Sequence, residues 1–394
     1  MSAANGRGAE LIERARELGP TLAQRAAQAA EDRRIPDATI ADFQEAGFFR
    51  MLQPVRWGGL EVDPNVFFEV QMTVAAACPS SAWVLGIVAV HSWQMALFPL
   101  EGQDEVWGKD RATLISSSYA PTGKIERVKG GYRVNGRWSF SSGCDHCQWV
   151  FLGGFVASEV EGKPPEMRTF LLPRSDYTID DTWFVAGLRG TGSKDIVVDN
   201  VFVPEHRTHR IIDGFKRTSP GNEHNQAPLY KLPFGQIFVR SVSTSAIGIA
   251  EGALRAYVDQ ASKRIAASDA SKVAEDPATQ TVAARAAATI DESRVVLFRD
   301  MDEMMALVRA GKDIPLERRV RFRYHSARVV DRCAEAVDEL FSASGGRAIF
   351  QTSPILRFFL DIHAARGHYA NNPEKPARNT GGVLLGLKNT DFFI

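Results

Sequence analysis

Five short stretches carry residues that could do chemistry. His91 lies within the otherwise apolar run Ala82 to Leu97, and a histidine titrates in the range where proton transfer is useful. Taken alone, such a residue reads as a satisfied core histidine. Ser141-Ser142-Gly143 follows a β-type segment and offers a hydroxyl at a turn, a place where serine ordinarily satisfies backbone groups. His363 and His368 stand five positions apart, so a helix would send them to different faces and not to the i, i+4 spacing of a metal pair. Cys144-Asp145-His146-Cys147 has Cys-x-x-Cys spacing, but no second pair accompanies it. Packing thiols are therefore expected, and no metal site. Gly345-Gly346-Arg347 could offer backbone amides to a phosphate, with glycine permitting close approach.

The elements that must position these residues fall into three blocks. From Glu10 to Glu31 the chain is rich in Ala, Leu, Glu and Arg at helical spacing. Pro36-Asp37 opens a second helix that stops at Gly47, Pro64 to Ala77 gives a third, and after a break at Pro79-Ser80-Ser81 a helix apolar on most sides runs to Leu97. Beyond Arg111 short β-type runs take over: Thr113 to Tyr119, Lys124 to Val128, Gly131 to Val134, Trp149 to Phe155 and Arg168 to Leu172. Ile196/Val198 and Val201/Val203 each keep a period of two, with a phase slip at Asp199-Asn200. This middle block, 113–225, reads as a β-barrel or sandwich between an N-terminal helical domain, 1–112, and a C-terminal helical bundle domain, 226–394. In the last block Ile247, Ala250 and Leu254 share one helical face, Ile290, Leu297 and Met301 another, and Phe322, Val329 and Cys333 a third.

Composition narrows the partners. Lysine plus arginine and aspartate plus glutamate both number 47, giving a formal net charge of zero. No basic field exists to hold nucleic acid or an anionic membrane, and small molecules or like subunits are the expected partners. Four cysteines are too sparse for a disulfide framework, the first 25 residues contain no apolar leader, and no run approaches 18 consecutive apolar residues. A cytoplasmic protein is expected.

Several local patterns in this order resemble the acyl-CoA dehydrogenase fold. They are Ile35-Pro36 through Gly58-Gly59-Leu60, Gly131-Tyr132-Arg133-Val134-Asn135-Gly136-Arg137-Trp138 through Ser142-Gly143, Gly187-Leu188-Arg189-Gly190-Thr191-Gly192-Ser193, and Gly345-Gly346-Arg347 through Asp361. The resemblance implies an α+β, acyl-CoA dehydrogenase-like chain with a central antiparallel β-barrel and a C-terminal four-helix bundle. The family's catalytic glutamate is missing from Tyr369-Ala370-Asn371-Asn372, and His368 stands just before that segment. Val90-His91-Ser92-Trp93, Ile115 through Pro121, and Ser141 through His146 resemble a sub-branch, the oxygenase components of two-component flavin monooxygenases. These hydroxylate phenols such as hydroxyphenylacetate or the secosteroid phenol of bacterial cholesterol degradation.

That resemblance implies reduced flavin, FMNH2 or FADH2, supplied by a separate reductase, and O2 reacting through a C4a-hydroperoxyflavin to hydroxylate a phenol ortho to its hydroxyl. It assigns Ser142, or Ser141, to flavin N5, His368 to the hydroperoxide proton, and His91 with Ser117 to the phenol. Trp138, Arg264, Gly345, Gly346 and Arg347 are expected to hold flavin across subunits of a homotetramer. Trp83 and Tyr119 are expected to wall the substrate. Two other readings stay open: an acyl-CoA dehydrogenase with bound FAD and Glu251 as base, and a helical interaction protein without chemistry.

Overall fold

A computed structural model describes residues 3–158, 160–265 and 270–394. The N-terminal helices are α1 (Ala3–Glu31), α2 (Asp37–Glu45), α3 (Pro64–Ala75), α4 (Pro79–Met95) and α5 (Leu100–Trp107). Helix α3 is capped by Asp63, whose carboxylate accepts from Asn65 N at 3.0 Å. The expected break at Pro79-Ser80-Ser81 is instead the first turn of α4, because a proline at N1 lacks an N–H that would go unpaired there anyway. All seventeen residues of α4 are buried, as its all-round apolar pattern requires.

The middle block holds β1 (Ile115–Ser118), β2 (Lys124–Val128), β3 (Gly131–Ser141), β4 (Trp149–Val156), β5 (Glu166–Pro173), β6 (Thr178–Asp180), β7 (Lys194–Pro204) and β8 (Thr208–Arg210). They form two four-stranded sheets, ordered β1-β4-β5-β8 and β2-β3-β7-β6. All pairings are antiparallel except β1 with β4. That parallel pair is possible because β2 and β3 intervene in the other sheet and provide the long crossover that parallel neighbours need. The phase slip at Asp199-Asn200 is a β-bulge: Val134 opposes Val201 and Gly136 opposes Val198, with Asn200 at φ 52°. A second register shift in the same pair falls between Trp138 and Ser141.

After α6 (Ile211–Lys216) the chain enters α7 (Phe234–Lys263), α8 (Pro277–Arg309), α9 (Leu316–Ala343), α10 (Pro354–Arg366) and α11 (Glu374–Leu384). Helix α7 packs against α8, α9 and α10, and also against α3 and α4, which joins the two helical blocks. It is long and apolar enough to cross a bilayer, but 89% of its most apolar window is buried inside the fold. Burying each fully enclosed residue such as Ile247 contributes roughly 1.5–3 kcal/mol. Glycines at φ 67° (Gly311) and φ 70° (Gly345) end α8 and α9.

Candidate active site

The strand β3 alternates sides until its second register shift, where Phe140 takes φ 69°. A left-handed phenylalanine costs about 1–2 kcal/mol, and here the turn leaves its ring 71% exposed beside Trp183, at 5.9 Å and 84°. Ser141 then points inward, with a buried hydroxyl that has no partner among the described residues. Ser142 begins the next turn. Gly143 follows at φ 70°, and a Cβ there would lie 2.8 Å from Val84 Cγ1, so glycine is what lets this turn press against α4. Trp83 of α4 donates its indole N–H to Ser142 Oγ at 3.2 Å. Ser142 Oγ also lies 2.7 Å from Ser193 Oγ.

His368 reaches the same place from the loop after α10. Its ring meets Trp83 edge-on at 5.6 Å, and its Nδ1 accepts from Ala370 N at 3.1 Å. Desolvation, aided by the Arg323 guanidinium, pushes its pKa down to about 4. A neutral ring that accepts at Nδ1 carries its proton on Nε2. Asn371, in the segment from which the glutamate is missing, donates to Ala365 O and Val242 O and ties this loop to α7.

A second group lies just over two turns along α4, about 12 Å from Trp83 at 1.5 Å per residue. His91 Nδ1 is 2.6 Å from Ile115 O, so it must donate there, and Nε2 is left as a buried acceptor without a partner. Burial pushes this histidine down to about 4 as well. Phe151 and Tyr119 flank the ring at 5.5 and 6.2 Å. Tyr119 donates to Gln94 Oε1 and also bonds the Ser117 side chain, while burial drives its phenol well above the usual range. Phe234 and Phe238 enclose Tyr119, and Phe393 of the C-terminal tail packs on both at 5.5 and 5.8 Å.

Other expected site residues lie elsewhere. Trp138 is fully buried in the β-domain core, with its indole donating to Gly153 O at 2.8 Å. The aromatic exposed beside Ser142 is Phe140, which was missed because the register shift moves it out of the strand's alternation. Arg264 donates to Ser344 O at 3.1 Å and its guanidinium lies 3.4 Å from where a Cβ on Gly345 would be. Gly346 has open space around its Cα, and Arg347 is exposed. These four therefore gather at the far end of the bundle. Asn371 meets α7 at Val242, and Arg264 follows 22 residues later, about 33 Å along a helix.

Glu251 does not face the first group. It sits nine residues past Val242 on α7, 3.8 Å from Arg294 NH1, and burial together with Glu69 raises its pKa. His363 bonds Asp338 at 2.8 Å as an ordinary surface pair. Cys144 and Cys147 are free and buried, each bonded to a backbone carbonyl. Among the described residues no group of three His, Cys, Asp or Glu side chains could hold a metal.

The residues fit a flavin. Ser142 would offer a lone pair to N5, Phe140 and Trp183 would offer ring edges, and Arg264 with Gly345 would offer charge and backbone to a phosphate. Helices flanking two small sheets, with a bundle behind, define the class as an acyl-CoA dehydrogenase-like flavoprotein fold, and the acyl-CoA dehydrogenase C-terminal domain family matches residues 241–373. The crystal structure of 3-HSA hydroxylase from Rhodococcus sp. RHA1 superposes with a TM-score of 0.94 at 43% identity, covering 98% of this chain and 99% of that one. The HsaA oxygenase subunit of a flavin-dependent monooxygenase from Rhodococcus jostii is 43% identical over 378 residues, 96% of this chain and 98% of that protein. The oxygenase component of an FADH2-dependent resorcinol hydroxylase from a Rhizobium strain is 34% identical over 373 residues, 92% of this chain and 91% of that protein. The chain belongs to the family of oxygenase subunits of flavin-dependent aromatic monooxygenases. Reduced flavin is accordingly its cofactor.

Proposed function

We propose that this protein hydroxylates a phenol ortho to its existing hydroxyl, using reduced FMN or FAD delivered by a separate reductase in the cytoplasm. The observation that carries the phenol is His91 Nε2, a buried acceptor with no partner among the described residues. A buried lone pair left unmatched costs about 1–3 kcal/mol, and a substrate O–H satisfies it. Reduced flavin bound here would supply the two electrons that activate O2, one atom of which goes to the phenol while the other leaves as water. Ser142 accepts from the flavin N5–H, His368 donates from Nε2 toward the oxygen side, and His91 with Ser117 and Tyr119 orients the phenol. Phe234, Phe238 and Phe393 exclude water from the ring.

The roughly 33 Å along α7 between the Ser142 and Arg264 groups is longer than flavin mononucleotide can span. If both serve one flavin, the phosphate group must come from another subunit, which supports a homo-oligomer and, with the bundle as its contact, a homotetramer. The dehydrogenase alternative with Glu251 as base is disfavoured by that residue's place against Arg294. The test is to supply reduced flavin enzymatically with a panel of phenols, including steroid-derived ones, and to quantify catechol and peroxide. Peroxide alone from every phenol would refute the proposal.

A further inference from the structure

Ser142 is one end of a buried line of hydroxyls whose protons can be placed. Its Oγ lies 2.7 Å from Ser193 Oγ. Ser193 Oγ lies 2.7 Å from Thr191 Oγ1, and Thr191 Oγ1 lies 2.8 Å from Leu188 O. A carbonyl only accepts, so the Thr191 hydrogen goes to Leu188. The contact between Thr191 and Ser193 still needs one hydrogen, which Ser193 must give. The contact between Ser193 and Ser142 then takes the hydrogen of Ser142. On the other side the Trp83 indole can only donate, and it occupies one lone pair of Ser142. Ser142 is left with one lone pair and no hydrogen to offer.

We propose that Thr191 and Ser193 are positioning residues that make Ser142 solely a hydrogen-bond acceptor, so that the site prefers flavin bearing a proton on N5, the reduced form, over oxidised flavin. This rests on the reading of Ser142 as the N5 partner. In oxidised flavin N5 is itself an acceptor, and two acceptors would face each other with no hydrogen between them. Water cannot easily supply one, because Ser142, Ser193 and Thr191 are 5%, 3% and 1% exposed.

The far end of the line is held rigidly. Leu188 takes φ 50°, donates its N–H to Asp361 Oδ1 at 2.5 Å, and receives the Trp183 indole on its carbonyl at 3.1 Å. Gly187 lies so close to α10 that a Cβ would stand 2.1 Å from Leu360 O. The consequence is directional exchange: the cofactor is captured reduced and released once oxidised, as suits a flavin that travels between two proteins.

The test measures affinities. Oxidised FMN and FAD are titrated in air and the reduced flavins without oxygen, which gives the ratio of oxidised to reduced dissociation constants. Thr191→Val keeps the Ser142 and Ser193 hydroxyls but frees the Ser193 proton to turn toward Ser142, whose own proton can then reach N5. The ratio should fall about five- to tenfold, the scale of one net hydrogen bond, chiefly through tighter binding of oxidised flavin. Thr191→Ser should restore it, and Ser193→Ala should lower it by a second route. A ratio unchanged in both Thr191→Val and Ser193→Ala, while Ser142→Ala does change it, overturns the relay and leaves the Ser142 assignment standing. If Ser142→Ala alters neither affinity, the N5 assignment itself falls.

Discussion

Replacing His91 by leucine should uncouple flavin oxidation from hydroxylation. In the folded protein the substitution removes the bond from Nδ1 to Ile115 O, worth about 0.5–1.5 kcal/mol net, and it also removes the unmatched Nε2, which offsets a similar amount. Leucine keeps apolar contact with Phe151, so stability should change by no more than about 1–2 kcal/mol, small beside the 5–15 kcal/mol typical of a folded protein. The phenol loses its acceptor. His91, held near pKa 4, cannot take the proton outright from a phenol of pKa about 10, because six units correspond to about 8 kcal/mol. It therefore acts as an acceptor of a hydrogen bond that strengthens as the ring is attacked, and its loss should slow product formation about 10–100-fold, at or below the lower end of acid–base contributions. Reduced flavin should be consumed as before, with peroxide replacing catechol. In the wild type the product-to-peroxide ratio should stay flat from about pH 8 to about pH 5 and fall only as the imidazole protonates near pH 4. An unchanged ratio in His91→Leu, or a wild-type ratio that falls with a midpoint near the ordinary histidine value of about 6.5, would refute the reasoning.

Three further outcomes follow from the same geometry. Phe140→Gly relieves a left-handed residue and should raise stability or leave it unchanged in thermal unfolding, while weakening reduced-flavin binding through loss of the exposed ring; unaltered affinity would remove Phe140 from the site. Asp361 is buried with its pKa raised to about 6 from 3.8, so the folded protein binds this proton more tightly than the unfolded chain does. The contribution of Asp361 to stability should therefore grow as pH falls from about 7 toward 4, by up to roughly 3 kcal/mol, and is read in denaturant unfolding as the difference between wild type and Asp361→Asn, because His91 and His368, held near 4, pull the other way in both proteins. Arg264→Ala and Ser142→Ala should each be impaired alone, yet mixed oligomers of the two should recover activity if one subunit's phosphate group serves its neighbour's Ser142; no recovery would place both groups on separate functions.

Much of the fold was legible because its signals are local. Helical spacing, the proline that opens α3 and the period-two runs are written within single elements, and the slip at Asp199-Asn200 even located a bulge. His91 drew notice because it interrupts an apolar helix, whereas the orientation that makes Nε2 free depends on Ile115, 24 residues away. Phe140 escaped notice because one extra residue in β3 turns the later side chains to the other face, and nothing in the alternation itself announces the shift. The relay through Thr191 and Ser193 was hidden for a related reason. Ser193 lies 51 residues from Ser142 and meets it only through the pairing of β3 with β7. The parallel β1–β4 pair depends likewise on which sheet β2 and β3 join.

The most direct test of the assignment of Ser142 and His91 is an anaerobic crystal structure of the oligomer with reduced flavin and a hydroxylated phenolic substrate. The flavin N5 should lie about 3 Å from Ser142 Oγ and the phenol oxygen about 3 Å from His91 Nε2, with Arg264 of a neighbouring subunit on the phosphate. A flavin whose N5 faces some other group, or a phenol whose hydroxyl points away from His91, would contradict the account.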